Sequence, residues 1–198
     1  MIFREVEDRD LVVKASRGNV DAYNLLVSRW EKRVFNYILR LVRNREDALD
    51  LSQDVFLKSY QNLGKLDDAS RFAPWLYRIA HNESFSLLRK RRPDREELPS
   101  DNDAAALPAP GPRSAITSML PVETSIAVAR AMERLNDEQR EAVVLKIYEG
   151  FKFEEMAEVL GCPVSTVKSR LYTALDLLKD TLAPVPMGKA PKAARERS

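Results

Sequence analysis

Between Arg71 and Arg92 lie side chains able to hold nucleic acid whose bases are exposed. In Arg71-Phe72-Ala73-Pro74-Trp75-Leu76-Tyr77-Arg78-Ile79-Ala80-His81-Asn82, the residues Phe72, Trp75, Leu76 and Ile79 recur at spacings of three and four and should enter a core. Arg71, Tyr77, Arg78 and Asn82 fall off that stripe. Aromatic faces stack on unpaired bases, while amide and guanidinium groups hydrogen-bond to base edges and phosphates. The helix runs into Arg89-Lys90-Arg91-Arg92, four consecutive positive charges that attract a phosphate backbone. A plainer alternative stands beside this: the aromatics are all core and the basic run is a solvated helix end. Just upstream, Asp50-Leu51-Ser52-Gln53-Asp54-Val55-Phe56-Leu57-Lys58-Ser59-Tyr60 forms a helical segment with an acidic edge, suited to a protein partner.

A second cluster lies between Phe153 and Leu178. Met156, Ala157, Val159 and Leu160 belong to a short helix, Gly161-Cys162-Pro163 to a turn, and Val164 to Lys179 to a second helix, the pattern of a helix-turn-helix. Gly161 supplies the positive φ of a tight turn, and Val167 and Leu171 point back into the block. Ser165, Thr166, Lys168, Ser169 and Arg170 are left outward at the N-terminal end of the second helix. That composition suits major-groove entry, with hydroxyls on phosphates and Lys or Arg on phosphates or guanine edges. An ordinary helical hairpin has no need of such a cluster.

The elements that must position these residues are helical throughout. An opening helix is expected from about Asp10 to Gly18 and a long one from Val20 to Arg43, its apolar stripe formed by Tyr23, Leu26, Val27, Trp30, Val34, Tyr37, Ile38 and Leu41. With the segments around Asp50 and Arg71 these make a four-helix bundle. Residues 93 to 122 hold six of the chain's eleven prolines and little apolar surface, as a flexible linker does. Beyond it a second helical block starts near Glu123, with Asn136 or Asp137 as an N-cap and Gly150 as a stop. Residues 184 to 198 read as a disordered tail. The expectation is an all-α chain of two small helical domains, 1 to 92 and 123 to 183, joined by a Pro-rich linker.

Composition bounds the rest. The chain has 198 residues, 44% of them hydrophobic, enough for one sizeable core or two small ones. A net charge of +2 is too small to argue for nucleic acid, so that argument rests on where the charge sits. One cysteine, Cys162, excludes an internal disulfide and any multi-cysteine zinc site, as in a reducing cytoplasm. A small side chain fits that turn, and a redox switch on DNA binding is the sharper alternative. No apolar run approaches the roughly 20 residues of a membrane span, and the N-terminus is too charged for a signal peptide. His81, the only histidine, reads as a helix-surface residue near DNA, and Glu154 and Glu155 as first-turn charges favoured by the helix dipole. No catalytic constellation, metal site or cofactor motif stands out, and an enzyme is not expected.

Taken in order, Asp50-x-x-Gln53-Asp54-x-Phe56, Phe72-x-x-Trp75-Leu76-x-x-Ile79-x-x-Asn82 and Val167-Lys168-Ser169-Arg170-Leu171 resemble the extracytoplasmic-function (ECF, group 4) sigma factors of the sigma-70 family. The resemblance covers about Leu11 to Arg92 as sigma region 2 and Glu123 to Leu182 as region 4. It implies an alternative-sigma transcription initiation factor with no catalytic residue, cofactor or metal. Asp50, Gln53, Asp54, Phe56 and Lys58 would meet the clamp helices of the polymerase's largest subunit, with the flap as a further contact. Lys65, Arg71, Tyr77, Arg78, Asn82, Arg89 and Arg91 would recognise and melt the minus-ten element, a flipped base being held by the loop after Leu63. Ser165, Thr166, Lys168, Ser169 and Arg170 would read the minus-thirty-five element. An anti-sigma factor is the regulator the resemblance implies, and the cytoplasm the compartment. Two other functions compete: a stand-alone, dimeric helix-turn-helix regulator, and an interaction module that has lost DNA binding.

Overall fold

The computed structural model describes residues 6–91 and 122–182, with side chains in the second stretch from residue 127. The expected linker, apart from its last residue, and the expected tail lie outside the described residues. The first block holds α1 (Asp8–Ser16), α2 (Val20–Val42), α3 (Arg45–Asn62) and α4 (Phe72–Arg91), with single 3-10 turns at Leu63–Lys65 and Ala69–Arg71. Its helix starts are set by short polar side chains: Asn19 accepts from the Ala22 amide at 2.8 Å and Asn44 from the Asp47 amide at 3.0 Å. Gly18, at φ 91°, separates α1 from α2, and Arg43, at φ 58°, closes α2 in the left-handed region. Pro74 is tolerated because it sits in the first turn of α4, where backbone amides have no intrahelical acceptor.

The apolar stripe of α2 is buried as expected: Leu26, Val34, Tyr37 and Ile38 are wholly enclosed, with Tyr23, Trp30 and Leu41 nearly so. It packs against Val55 of α3 and Phe72 and Leu76 of α4. Asp8 ties α1 to α2, accepting from Arg29 at 2.7 Å and from the Trp30 indole at 2.9 Å.

The second block holds α5 (Val122–Glu133), α6 (Asp137–Val143) continued by a π-helical turn (Val144–Tyr148), α7 (Phe153–Leu160) and α8 (Val164–Leu182). Asn136 caps α6 in a reciprocal box with Gln139. Arg140, buried, fastens the α5–α6 turn by donating to Leu135 O at 2.6 Å and to Asp137 at 2.9 Å. Met156, Val159, Val167 and Leu171 fill the angle between α7 and α8.

The two helical blocks are distinct, as expected, and they pack against each other. Their buried apolar residues form one continuous cluster from Leu11 to Ala174, with α4 lying against α7 and α2 against the α6 end.

Candidate nucleic-acid interface

Helix α3 divides its residues cleanly. Ala48, Val55 and Ser59 are buried, and Ser59 meets the Tyr23 hydroxyl at 2.6 Å. Asp50, Gln53 and Asp54 lie on the opposite, exposed side together with Leu57, which is 56% exposed. Leu49 and Tyr60, also exposed, border that face. These apolar neighbours escaped the sequence reading, although Leu57 stands at i+3 and i+4 from Asp54 and Gln53, on one helical surface. Phe56 and Lys58 do not share the face. Phe56 packs against the core and Lys58 pairs with Glu83 of α4 at 2.6 Å, because their positions turn toward the bundle.

The α3–α4 connection and α4 form a cleft of about 470 Å³ lined by Lys65, Leu66, Asp67, Asp68, Arg71, Pro74, Trp75, Arg78 and, from α7, Glu158. Asp68 shapes the connection by accepting from the Ser70 amide (2.9 Å) and hydroxyl (2.7 Å), bonds that also hold its carboxyl below the usual range. Trp75 is only half-buried: one part packs on Phe72, centroids 6.1 Å apart, and the rest faces the cleft. Trp75 thus enters the core as expected, but only in part.

Three expectations on α4 need correction. Tyr77 is wholly buried, its ring against Tyr37 and Phe151 (centroids 4.9 Å each) and its hydroxyl donating to Glu149 at 2.6 Å. Burial, reinforced by Glu149, raises its pKa well above the ordinary tyrosine value, so the hydroxyl keeps its proton and remains a donor. His81 is no surface residue; its Nδ1 lies 2.7 Å from buried Glu141 and its ring 4.6 Å from Phe85. Arg91 leaves the basic run to pair with Asp47 at 2.6 Å, while Arg89 and Asn82 stay exposed. Each correction has one cause: faces of α4 that look solvent-exposed in isolation are covered by the second block or by α3.

On α8 the outward stripe is Ser165, Lys168, Ser169 and Tyr172, the last 56% exposed and missed by sequence reading despite lying at i+3 and i+4 from Ser169 and Lys168. Thr166 and Arg170 lie on the flank. Arg170 pairs with Glu138 at 2.9 Å and lines a cleft of about 320 Å³ with Asn82 and Arg89 of α4. Gly161 adopts φ 63° as the turn requires. Cys162 is partly buried; desolvation pushes its thiol pKa up and Arg170 only partly opposes this. Alkylation by iodoacetamide should therefore reach half its maximal rate at a higher pH than for free cysteine, and a midpoint below that value would contradict this environment.

Comparison with known proteins agrees with the geometry. Residues 26–93 match Sigma-70 region 2 and residues 125–178 match Sigma-70 region 4. The RNA polymerase sigma-H factor of Pseudomonas aeruginosa is 33% identical over 90% of this chain and 95% of its own length. The chain belongs to the ECF sigma factors, group 4 of the sigma-70 family. The ECF RNA polymerase sigma-E factor of Escherichia coli K12 is 31% identical over 91% of this sigma factor and 97% of the relative. Among solved structures, CnrH in complex with the cytosolic domain of CnrY matches at TM-score 0.65 and 28% identity, covering 88% of this sigma factor and 96% of that chain. RpoE of Bartonella quintana, solved with the anti-sigma factor NepR, matches at TM-score 0.65 and 25% identity, covering 81% and 96%. The first block thus carries region 2, matched over residues 26–93, the second carries region 4, matched over residues 125–178, and the molecule is an RNA polymerase sigma factor. Among the described residues no helix is long and apolar enough to cross a membrane.

Proposed function

We propose that this sigma factor docks on core RNA polymerase through the Asp50, Gln53, Asp54 and Leu57 face of α3 and melts the minus-ten element over the cleft of Lys65, Arg71, Trp75 and Arg78. The observation that carries the reading is the segregation of these two surfaces: an acidic face with an exposed leucine, and a cleft in which Lys65, Arg71 and Arg78 stand with Asp67, Asp68 and Glu158 around a half-exposed indole. Melting then needs no catalytic group. Stacking on the indole and contacts to the backbone favour the single strand by about 1 to 3 kcal/mol per stacked base, against a few kcal/mol for unstacking. Region 4 reads the minus-thirty-five element with Ser165, Lys168, Ser169 and Tyr172. The sigma factor works in the cytoplasm with the polymerase. An anti-sigma factor restrains it, as the RpoE–NepR complex supports by likeness.

Run-off transcription from a promoter-fragment library, with and without the purified chain, tests this reading. Specific transcripts that require the chain support it and locate both elements; duplex binding without transcripts favours a stand-alone regulator. Within region 4, Lys168→Ala should weaken promoter binding and lower the slope of log affinity against log salt by about one unit, as loss of one phosphate contact does. An unchanged slope with altered sequence preference would assign Lys168 to a base instead.

A further inference from the structure

Phe153 opens α7, and two lysines from different elements share its ring. Lys146 Nζ, from the π-helical turn after α6, lies 4.8 Å from the ring centroid, and Lys168 Nζ, from the outward stripe of α8, lies 5.3 Å from it. Both fall within the roughly 6 Å at which the negative face of an aromatic ring attracts a cation. Lys146 is fixed further by donating to Phe151 O at 3.0 Å. Among the described residues neither ammonium pairs with a carboxylate, although Glu154 and Glu155 stand in the first turn of α7. Glu155 accepts instead from the Lys152 amide at 2.7 Å. The ring is half-buried and packed on the core, so its place is set by the fold and not by the lysines.

We propose that Phe153 is a positioning residue, gathering Lys146 and Lys168 into a two-ammonium clamp for the phosphate backbone beside the minus-thirty-five element. This rests on the assignment of α8 to that element. An ammonium group has three donors and no acceptor, and a ring attracts its charge while leaving N–H groups free for phosphate oxygens. Two like charges drawn to one ring repel each other, and no carboxylate offsets them; a phosphate would. A free lysine loses side-chain entropy when it captures a phosphate, whereas one already held on a ring loses less. The clamp also joins two elements. Lys168 stands one turn from both Ser165 and Tyr172 on α8, while Lys146 reaches in from the α6 side, so the pair fixes the register of α8 on the duplex while its neighbours meet base edges. Arg170, the other cation near the start of α8, is paired with Glu138, which leaves this task to the lysines.

The test uses the full chain assembled with core RNA polymerase, on the promoter duplex mapped by run-off. Lys146→Ala/Lys168→Ala should lower the slope of log affinity against log salt by about two units, one for each phosphate contact. Phe153→Leu and Phe153→Met keep an apolar side chain but lose the ring, and each should weaken promoter binding by about fivefold. In the double-lysine background the same two substitutions should change affinity by less than about twofold, as coupled residues do. Phe153→Tyr, which keeps the ring, should bind within about twofold of the unaltered chain. Equal losses in both backgrounds would make Phe153 merely structural; that result, or full binding by the Leu and Met variants, overturns the positioning role. If the slope still falls by about two units, the lysines hold phosphates and only the role of Phe153 has failed. An unchanged slope overturns the clamp and removes Lys168 from the minus-thirty-five assignment with it.

Discussion

Asp54→Arg is expected to lower the affinity of the free chain for core RNA polymerase by at least about thirtyfold, or 2 kcal/mol, with its melting temperature unchanged. Asp54 is exposed while its neighbour Val55 is wholly buried, so the substitution touches no packing and should shift stability by no more than about 0.5 kcal/mol. The large effect comes from the partner side. An acidic edge beside Leu57 presents charge around an apolar centre, and reversing the charge both removes a pairing and adds a repulsion. Competition against a labelled sigma factor measures the change. Affinity within threefold of wild type would remove α3 as the polymerase face.

Phe72→Ala should destabilise region 2 by about 3 to 5 kcal/mol and reduce transcription in parallel. Phe72 is 2% exposed, opens α4, and meets Trp30 edge-on with centroids 6.2 Å apart. Truncation leaves a cavity beneath the connection that carries Lys65 and Arg71, so the lost burial and the loosened cleft share one cause. Trp30 and Trp75 are the chain's two tryptophans and both touch Phe72, so urea unfolding followed by tryptophan fluorescence reports on this region specifically. Phe72→Leu, which refills much of the volume, should cost less than half as much. A loss below about 1 kcal/mol for Phe72→Ala would mean that the packing around Phe72 relaxes freely.

The all-helical class, the buried stripe of α2 and the helix-turn-helix with Gly161 were legible because each rests on local chemistry: apolar spacing of three and four, side-chain caps such as Asn19 and Asn136, and a glycine at positive φ. So was the outward placement of Asp50, Gln53 and Asp54, which follows from helix geometry once Val55 is buried. Reading failed where a second element decides exposure. Tyr77 and His81 fall off the apolar stripe of α4, yet Phe151, Glu149 and Glu141 enclose or pair with them from the far side of the chain. Leu57 and Tyr172 failed in the other direction, as apolar residues left in solvent because no element among the described residues covers them.

The sequence by itself determined which helices form, the chemistry each carries and the family to which the chain belongs, since periodicity, caps and motif order are properties of neighbouring residues. Only the tertiary structure decided that region 4 lies on region 2 and that its carboxylates occupy Arg71, Arg33, Tyr37 and Tyr77. Those pairings join residues 72 to 116 positions apart, and at such separation they depend on shape and desolvation across two assembled surfaces, which no local pattern encodes.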